Sequence, residues 1–190
     1  MTRALEQLGV GKRIVDLIFR TFPNSSFEPF FPLLKKAVQK PTILNSAILE
    51  FQTQTGLGVT SHIAIAAREI LGSACFPALT RDYVRRCCDL VEFFVKSRLL
   101  HEAGAEIERK MRQKPLGAII NELRKHCVHA SASFSDLLGR LEAFNLNVYC
   151  QAKHDYLNSG DKLFSVPDAI AVTFISIRLC HYIEEFSRHR

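Results

Sequence analysis

A run of three polar residues, Lys153, His154 and Asp155, ends a long amphipathic segment of the chain. Histidine suits proton transfer because its unperturbed pKa of about 6.5 lies near working pH. Lysine supplies positive charge for a phosphate, and Asn147, two helical turns before His154 on the same face, supplies a neutral hydrogen-bond donor. These residue types and spacings favour proton transfer beside a phosphate group, with His154, Lys153 and Asn147 as the catalytic candidates.

Four further residues are candidates for contact with a nucleic acid. Asp155 follows His154 in the same polar run, and the ring of Tyr149 can stack on a base. Arg124 and His129 lie in the segment RKHCVH, and the planar fork of an arginine can donate two hydrogen bonds to one phosphate. This Arg–His pair is the alternative to His154, although it lies where the preceding helix is expected to end.

Each of these residues also has a purely structural interpretation. A polar residue at the C-terminus of a helix interacts favourably with the helix dipole, and the side chains of neighbouring helical residues diverge. In that interpretation Lys153, His154 and Asp155 form the solvated end of a helix, and Tyr149 belongs to the core. From the sequence alone, both interpretations stay open.

The histidines and cysteines do not form the pattern of a closed metal site. His126, Cys127 and His129 cluster, and Cys150 and His154 have the i, i+4 spacing that can share a metal. However, the chain has neither a Cys-x-x-Cys pair nor a His-Glu-x-x-His pattern. We therefore expect neither a metal nor another cofactor.

The elements that position these candidates are helices, because every long segment follows a period near 3.6 residues. The sequence predicts an all-α helical bundle. In the first half, the predicted helices cover residues 2–22, which Pro23 ends, then 32–40 in a segment with four prolines, 42–52 and 60–71.

The second half of the chain carries the longer predicted helices. They cover residues 80–103, a helix opened by Pro115, a helix from a cap at Ser133 or Ser135 to His154, and residues 166–186. At the start of the last helix Ser165 can cap, Pro167 fits the first turn and Asp168 faces the positive end of the dipole. This helix is apolar almost all round, which places it centrally in the bundle or in a subunit contact.

The last four helices together resemble the HEPN superfamily, small helical-bundle domains named for nucleotide binding in higher eukaryotes and prokaryotes. The resemblance rests on the long amphipathic helix, on KPLGAIINELRKH, on LLGRLEAFNLNVYCQAKHD with its polar His motif, and on the closing helix. It covers roughly residues 80–188. The chain accordingly divides into an N-terminal helical subdomain of unassigned role, residues 1–75, and a HEPN-like helical bundle, residues 76–190.

The resemblance implies an RNA-directed function. Many HEPN domains are metal-independent ribonucleases, some of them toxins or antiviral-defence proteins, whose motif is an Arg followed after four to six residues by a His near a helix end. His154 matches the His position, whereas Asn147, Val148 and Tyr149 stand where the family has its Arg. Two expectations therefore follow, a metal-independent endoribonuclease or a non-catalytic module that binds RNA or another protein.

Net charge and cysteine content limit the expected classes of partner and the expected cellular compartment. A formal net charge of +6 over 190 residues weakly favours polyanions such as RNA. The six cysteines are typical of free thiols in a reducing cytosol, and the N-terminus lacks the pattern of a leader peptide. We expect a cytoplasmic protein without membrane contact, associated as a homodimer or with a heteromeric protein partner.

One short segment offers a different nucleic-acid interface. QTGLGVTSHIAIAAREIL has a turn followed by a short helix, as in a helix-turn-helix reader, and would place Ser61, His62 and Arg68 at DNA. That helix is more apolar than an exposed recognition helix should be. DNA readout is therefore the minor alternative.

Overall fold

The computed structural model of the protein describes residues 1–23, 26–55, 80–126, 131–153 and 164–188. These residues form an all-α helical bundle with no strand among them, which confirms the fold class predicted from the 3.6-residue period. The β-branched stretch AIAVTFISIRLC is helical too. Its length and its capped start outweigh its strand propensity.

The N-terminal segment contains two helices, α1 (Thr2–Gln7) and α2 (Lys12–Thr21). The prediction of one helix over residues 2–22 is therefore wrong. Gly9 adopts φ 85°, its N–H donates to the carbonyl of Glu6, and the N–H of Val10 donates to the carbonyl of Leu5. This pair of bonds is a Schellman ending, which a glycine in the left-handed region permits at little steric cost.

Two further helices, α3 (Phe31–Gln39) and α4 (Leu44–Gln54), follow short 3₁₀ turns at Glu28–Phe30 and Pro41–Ile43. Their aromatic rings connect this part of the chain to the last helix. The ring of Phe51 lies 4.6 Å from that of Phe30 and 4.9 Å from that of Phe174. The helix predicted over residues 60–71, the boundary near residue 75 and the helix-turn-helix candidates Ser61, His62 and Arg68 lie outside the described residues.

The long helix predicted over residues 80–103 changes its winding along its length. An α-helix, α5 (Thr80–Phe94), passes into a π-helical turn at Val95–Leu99 and a 3₁₀ turn at Leu100–Ala103. A short helix that the sequence did not predict, α6 (Ala105–Met111), comes next, and α7 (Leu116–His126) then begins directly after Pro115, as predicted.

The helix that carries the polar motif also contains a π-helical turn. It consists of α8 (Ala132–Phe144), the turn Asn145–Tyr149 and α9 (Cys150–Lys153), which together form the motif helix, residues 132–153. Its cap is Ser131, whose Oγ accepts a hydrogen bond from the Phe134 N–H at 3.4 Å. The prediction of a cap at Ser133 or Ser135 is wrong because the helix begins earlier than its apolar pattern shows.

The last helix, α10 (Val166–Arg188), lies at the centre of the bundle and packs against α5, α2, α3, α4 and α8. By length and composition, Val166–Ser187 passes as a candidate membrane span, but 78% of its most apolar window is buried inside the bundle. The surroundings of this helix are those of a core helix. Most of its apolar side chains are therefore covered by the chain itself.

Candidate functional site

The described part of the motif helix ends at Lys153, on the last turn before His154. His154 and Asp155 follow this residue, and His129 precedes Ser131. These three candidates, together with Cys127 of the possible metal cluster, lie outside the described residues. The site is therefore built from Lys153, Tyr149, Asn147 and Arg124, whose surroundings are described.

Lys153 lies against α5. Its ammonium forms an ion pair with Asp89 and sits 5.8 Å from the centroid of the Tyr149 ring. The Lys153 side chain is 31% exposed and that of Asp89 is 51% exposed, so the pair lies at the surface. Two contacts thus orient one ammonium at the end of the motif helix, while solvent still reaches it.

Tyr149 is buried, with 6% of its surface exposed, and its hydroxyl donates to Glu92 Oε2 at 2.5 Å. Glu92 also pairs with Lys96 one turn further along the same helix. Burial, followed by the neighbouring Glu92 carboxylate, raises the pKa of the Tyr149 hydroxyl. The Lys153 ammonium lies over the face of the Tyr149 ring. Because the ring is buried, it has little exposed surface on which a base could stack.

Asn147 lies in the π-helical turn and is half-buried. Its side-chain Nδ2 donates to the carbonyl of Ala143, four residues earlier, at 2.8 Å. This bond back to the helix uses one of the two N–H groups of the amide. Between Asn147 and Lys153 the structure gives no contact, whereas it does bring Tyr149 and Lys153 together.

Arg124 is on α7 and faces the motif helix. Its Nη1 and Nη2 donate to the two carboxylate oxygens of Glu142 at 3.2 and 2.9 Å. The hydrogen bonds to Glu142 raise the pKa of Arg124, and the same bonds lower the pKa of the Glu142 carboxyl. The fork that was expected to bind a phosphate thus binds a carboxylate of this chain.

Several residues that complete the site were not recognised from the sequence. Asp89 and Glu92 on α5 hold Lys153 and Tyr149, and Arg85 Nε donates to the carbonyl of Ala152 at 2.8 Å. A polar stripe at positions 85, 89, 92 and 96 of an otherwise amphipathic helix was the available signal. In the sequence, such a stripe looks like an ordinary solvent-exposed helix face, because the sequence does not show which helix packs on it.

The two π-helical turns lie on α5 and on the motif helix, next to this polar cluster. Tyr149 closes one turn, and Glu92 precedes the other by one turn of helix. A π-helical turn shifts the register of the side chains that follow it, and such turns are frequent at functional sites. The cluster around Lys153 contains the carboxylates of Asp89 and Glu92 and also the cations Arg85 and Lys96.

Among residues 1–23, 26–55, 80–126, 131–153 and 164–188, no group of three or more His, Cys, Asp or Glu side chains could hold a metal ion. The described cysteines, Cys87, Cys88, Cys150 and Cys180, are free thiols.

Comparison with family models, with curated proteins and with solved structures found no match to this chain. The resemblance to the HEPN superfamily therefore rests on the motifs of the second half of the chain alone.

Proposed function

We propose that the protein is a HEPN-like RNA-binding module whose phosphate contact is made at the end of the motif helix. The observation that carries the proposal is the oriented, solvent-accessible ammonium of Lys153, next to the polar run that continues with His154 and Asp155. An ammonium binds phosphate as a point charge. The exposed pairing with Asp89 is weak, so an RNA phosphate can replace that carboxylate.

The donor groups of the other candidates favour binding over cleavage. The Arg124 fork is held by two hydrogen bonds to both oxygens of Glu142, a geometry that a phosphate replaces less readily than the single contact of Lys153, and the Asn147 amide is bonded to its own helix. A metal-independent ribonuclease needs donors for the charge that develops on the phosphate as well as a residue that moves protons. Lys153 supplies a positive charge but not the two-donor fork of an arginine. One such charge can bind an RNA phosphate, but it stabilises the charge that develops during cleavage only weakly.

A metal-independent endoribonuclease is the second candidate. It is favoured by the carboxylate of Asp89, which pairs with the ammonium that directly precedes His154, and by that of Glu92, which accepts from the neighbouring Tyr149 hydroxyl. In that function His154 transfers protons, one carboxylate orients the site, and Lys153 contacts the phosphate. The product would be a cyclic phosphate or a 3′-phosphate.

Fluorescence anisotropy with a labelled single-stranded RNA tests the binding proposal. We expect Lys153→Ala to weaken binding about three- to tenfold and to reduce the slope of log K against log salt by about 0.7, the value for one phosphate contact. Lys36→Ala, at an exposed lysine on α3, removes the same charge and should leave the affinity nearly unchanged. Equal effects of the two variants would mean that only net charge matters.

Incubation of RNA with the protein in excess chelator separates the two candidates. Under the binding proposal the RNA stays intact, and His154→Ala changes affinity only slightly. Cleavage with cyclic-phosphate ends that His154→Ala abolishes would establish the ribonuclease instead. If the wild-type protein neither binds nor cuts RNA, both candidates fail and a protein-interaction role becomes the next hypothesis.

A further inference from the structure

Phe93, on the last turn of α5, is the most exposed aromatic residue in the part of the chain that the structure describes, with 53% of its surface open to solvent. A single exposed apolar side chain is ordinary on a soluble protein. The position of Phe93 is not ordinary, because it lies four residues after Asp89, the carboxylate that pairs with Lys153. The ring therefore belongs to the surface on which the proposed phosphate contact is made.

The geometry of the helix brings the ring and the ammonium close together. Residues four apart on an α-helix are neighbours on one face, with their Cβ atoms about 6 Å apart. Asp89 and Phe93 are both exposed, whereas Leu90 and Phe94 on the opposite side of α5 are buried. Since Lys153 contacts Asp89, its ammonium and the Phe93 ring lie about one helical turn apart on the same outward face.

The Phe93 ring also has a fixed neighbour. Its centroid lies 5.6 Å from that of Phe94, and the two ring planes meet at 83°, an edge-to-face contact. Phe94 is held in the core, with 1% of its surface exposed. This contact limits the freedom of the Phe93 ring while leaving half of the residue open to solvent, so little ordering remains to be done when a flat partner binds.

The charges around the ring favour an anionic partner. Arginines and carboxylates are equal in number on α5, three of each: Arg81, Arg85, Arg86, Asp82, Asp89 and Glu92. Lys96, one turn after Glu92, and Lys153, from the motif helix, add two positive charges to this side of the bundle. Exposed aromatic rings beside positive charge are the combination with which proteins bind single-stranded nucleic acid.

We propose that Phe93 is the base-stacking residue of the RNA site, and that the site therefore takes single-stranded RNA. A phosphate replaces Asp89 at the Lys153 ammonium, and an adjoining base lies on the Phe93 ring. In duplex RNA the bases are stacked on each other and cannot reach the ring. This inference rests on the RNA binding proposed above, and it gives Phe93 the stacking role that the sequence suggested for the buried Tyr149.

Fluorescence anisotropy with a short labelled oligouridine, at fixed salt, tests the stacking on the full chain. We expect Phe93→Ala to weaken binding about five- to fiftyfold, the effect of one lost base stack. The slope of log K against log salt should not change, because stacking releases no counterions. Phe19→Ala removes the other exposed phenylalanine of the described chain, on α2, and should leave the affinity within about twofold of wild type.

Two conservative variants separate stacking from apolar contact and from any loss of fold. Phe93→Tyr keeps an aromatic face and should bind RNA within about twofold of wild type, whereas Phe93→Leu keeps an apolar side chain and should lose most of what Phe93→Ala loses. Circular dichroism melts of the variants check that the bundle is intact. Equal binding by Phe93→Leu and wild type would contradict the stacking role.

The ligand offers a matched control as well. An oligomer of the same length that keeps the sugar–phosphate chain but lacks bases should bind more weakly than oligouridine, and equally to wild type and to Phe93→Ala. If wild type binds neither oligomer, the RNA-binding proposal fails and this inference fails with it. If Lys153→Ala weakens oligouridine binding but Phe93→Ala and Phe19→Ala have equal effects, or if the abasic oligomer binds as tightly as oligouridine, the stacking inference alone is overturned.

Discussion

Asp168 and Gly11, 157 residues apart in the chain, are joined by a hydrogen bond of 2.8 Å from the Gly11 N–H to Asp168 Oδ1. The other oxygen of the same carboxylate accepts from the Ser165 N–H at 2.9 Å, and Ser165 Oγ accepts from the Asp168 N–H at 3.1 Å. The reciprocal pair is a capping box that begins α10. The Asp168 carboxylate therefore caps the central helix α10 and also binds the backbone N–H of Gly11, the residue that directly precedes α2.

Replacing Asp168 tests this double role. We expect Asp168→Ala to lower the free energy of unfolding by about 2–3 kcal/mol, because it removes the cap and leaves the Gly11 N–H without its acceptor. Urea denaturation followed by circular dichroism measures the loss. Asp16→Ala, an exposed carboxylate on α2, is the control and should change stability by less than about 0.5 kcal/mol. A similar loss in both variants would show that the contact with Gly11 contributes nothing specific.

The bond between Tyr149 and Glu92 should contribute to the docking of the motif helix on α5. Tyr149→Phe keeps the ring and removes the hydroxyl, and we expect a loss of about 1 kcal/mol because the half-buried Glu92 carboxylate then lacks this donor. In a double-mutant cycle with Glu92→Gln, the coupling energy should be about 1 kcal/mol. Additive effects of the two variants would mean that the two side chains do not interact.

The bundle should lose stability at alkaline pH. Burial raises the pKa of the Cys87 thiol from 9.0 to about 12, and burial also raises the pKa of the thiols of Cys88 and Cys180 and of the Tyr149 hydroxyl. A buried group whose pKa is raised in the folded protein contributes fully to the free energy of unfolding below its pKa in the unfolded chain. That contribution is lost as the pH rises toward the pKa of the folded state.

For Cys87 the loss between about pH 9 and 10.5 amounts to about 2 kcal/mol. Urea midpoints measured across this range should therefore fall, and Cys87→Ala should flatten the fall even though it lowers the stability at neutral pH. An unchanged slope in Cys87→Ala would show that this thiol ionises as readily in the folded protein as in the unfolded chain.

Thiol accessibility gives a second, independent check of the core. Cys87, Cys88 and Cys180 are buried, whereas Cys150 near the end of the motif helix is half-buried. In a Cys75→Ser, Cys127→Ser background, a thiol reagent should modify Cys150 first and the other three only after denaturation. Rapid modification of more than one thiol in the native protein would contradict the placement of α5 against α10.

Two glycines should respond in opposite directions to alanine. Gly9 has φ 85°, so Gly9→Ala strains the ending of α1 and should cost about 1 kcal/mol or more. Gly139 lies inside α8, where an added Cβ meets no atom within 4 Å other than the local helix itself, so Gly139→Ala should stabilise by about 0.5–1 kcal/mol. Thermal melts of the two variants measure the difference, and equal shifts would refute the left-handed turn at Gly9.

The helices themselves were predictable from the sequence. The 3.6-residue period of the apolar residues identifies the helices that contain Leu90, Ile119 and Leu141, all of which are buried. Pro115 and Ser165 mark two helix starts correctly because their effects act within one turn of the chain. The cap predicted at Ser133 or Ser135 instead of Ser131 and the missed break at Gly9 are local errors, since neighbouring serines, and the two glycines Gly9 and Gly11, compete for those roles.

What only the tertiary structure decided is which groups face each other. Lys153 meets Asp89 and Tyr149 meets Glu92 across 64 and 57 residues, and Arg124 meets Glu142 across 18. No periodic pattern contains those pairings, because a helix face shows that a side chain points outward and not what lies opposite it. The π-helical turns, which shift the register at Val95–Leu99 and Asn145–Tyr149, likewise depend on packing between helices. Residue type therefore suggested a phosphate-directed site, whereas the folded arrangement places Lys153 at the surface, between a ring and a carboxylate.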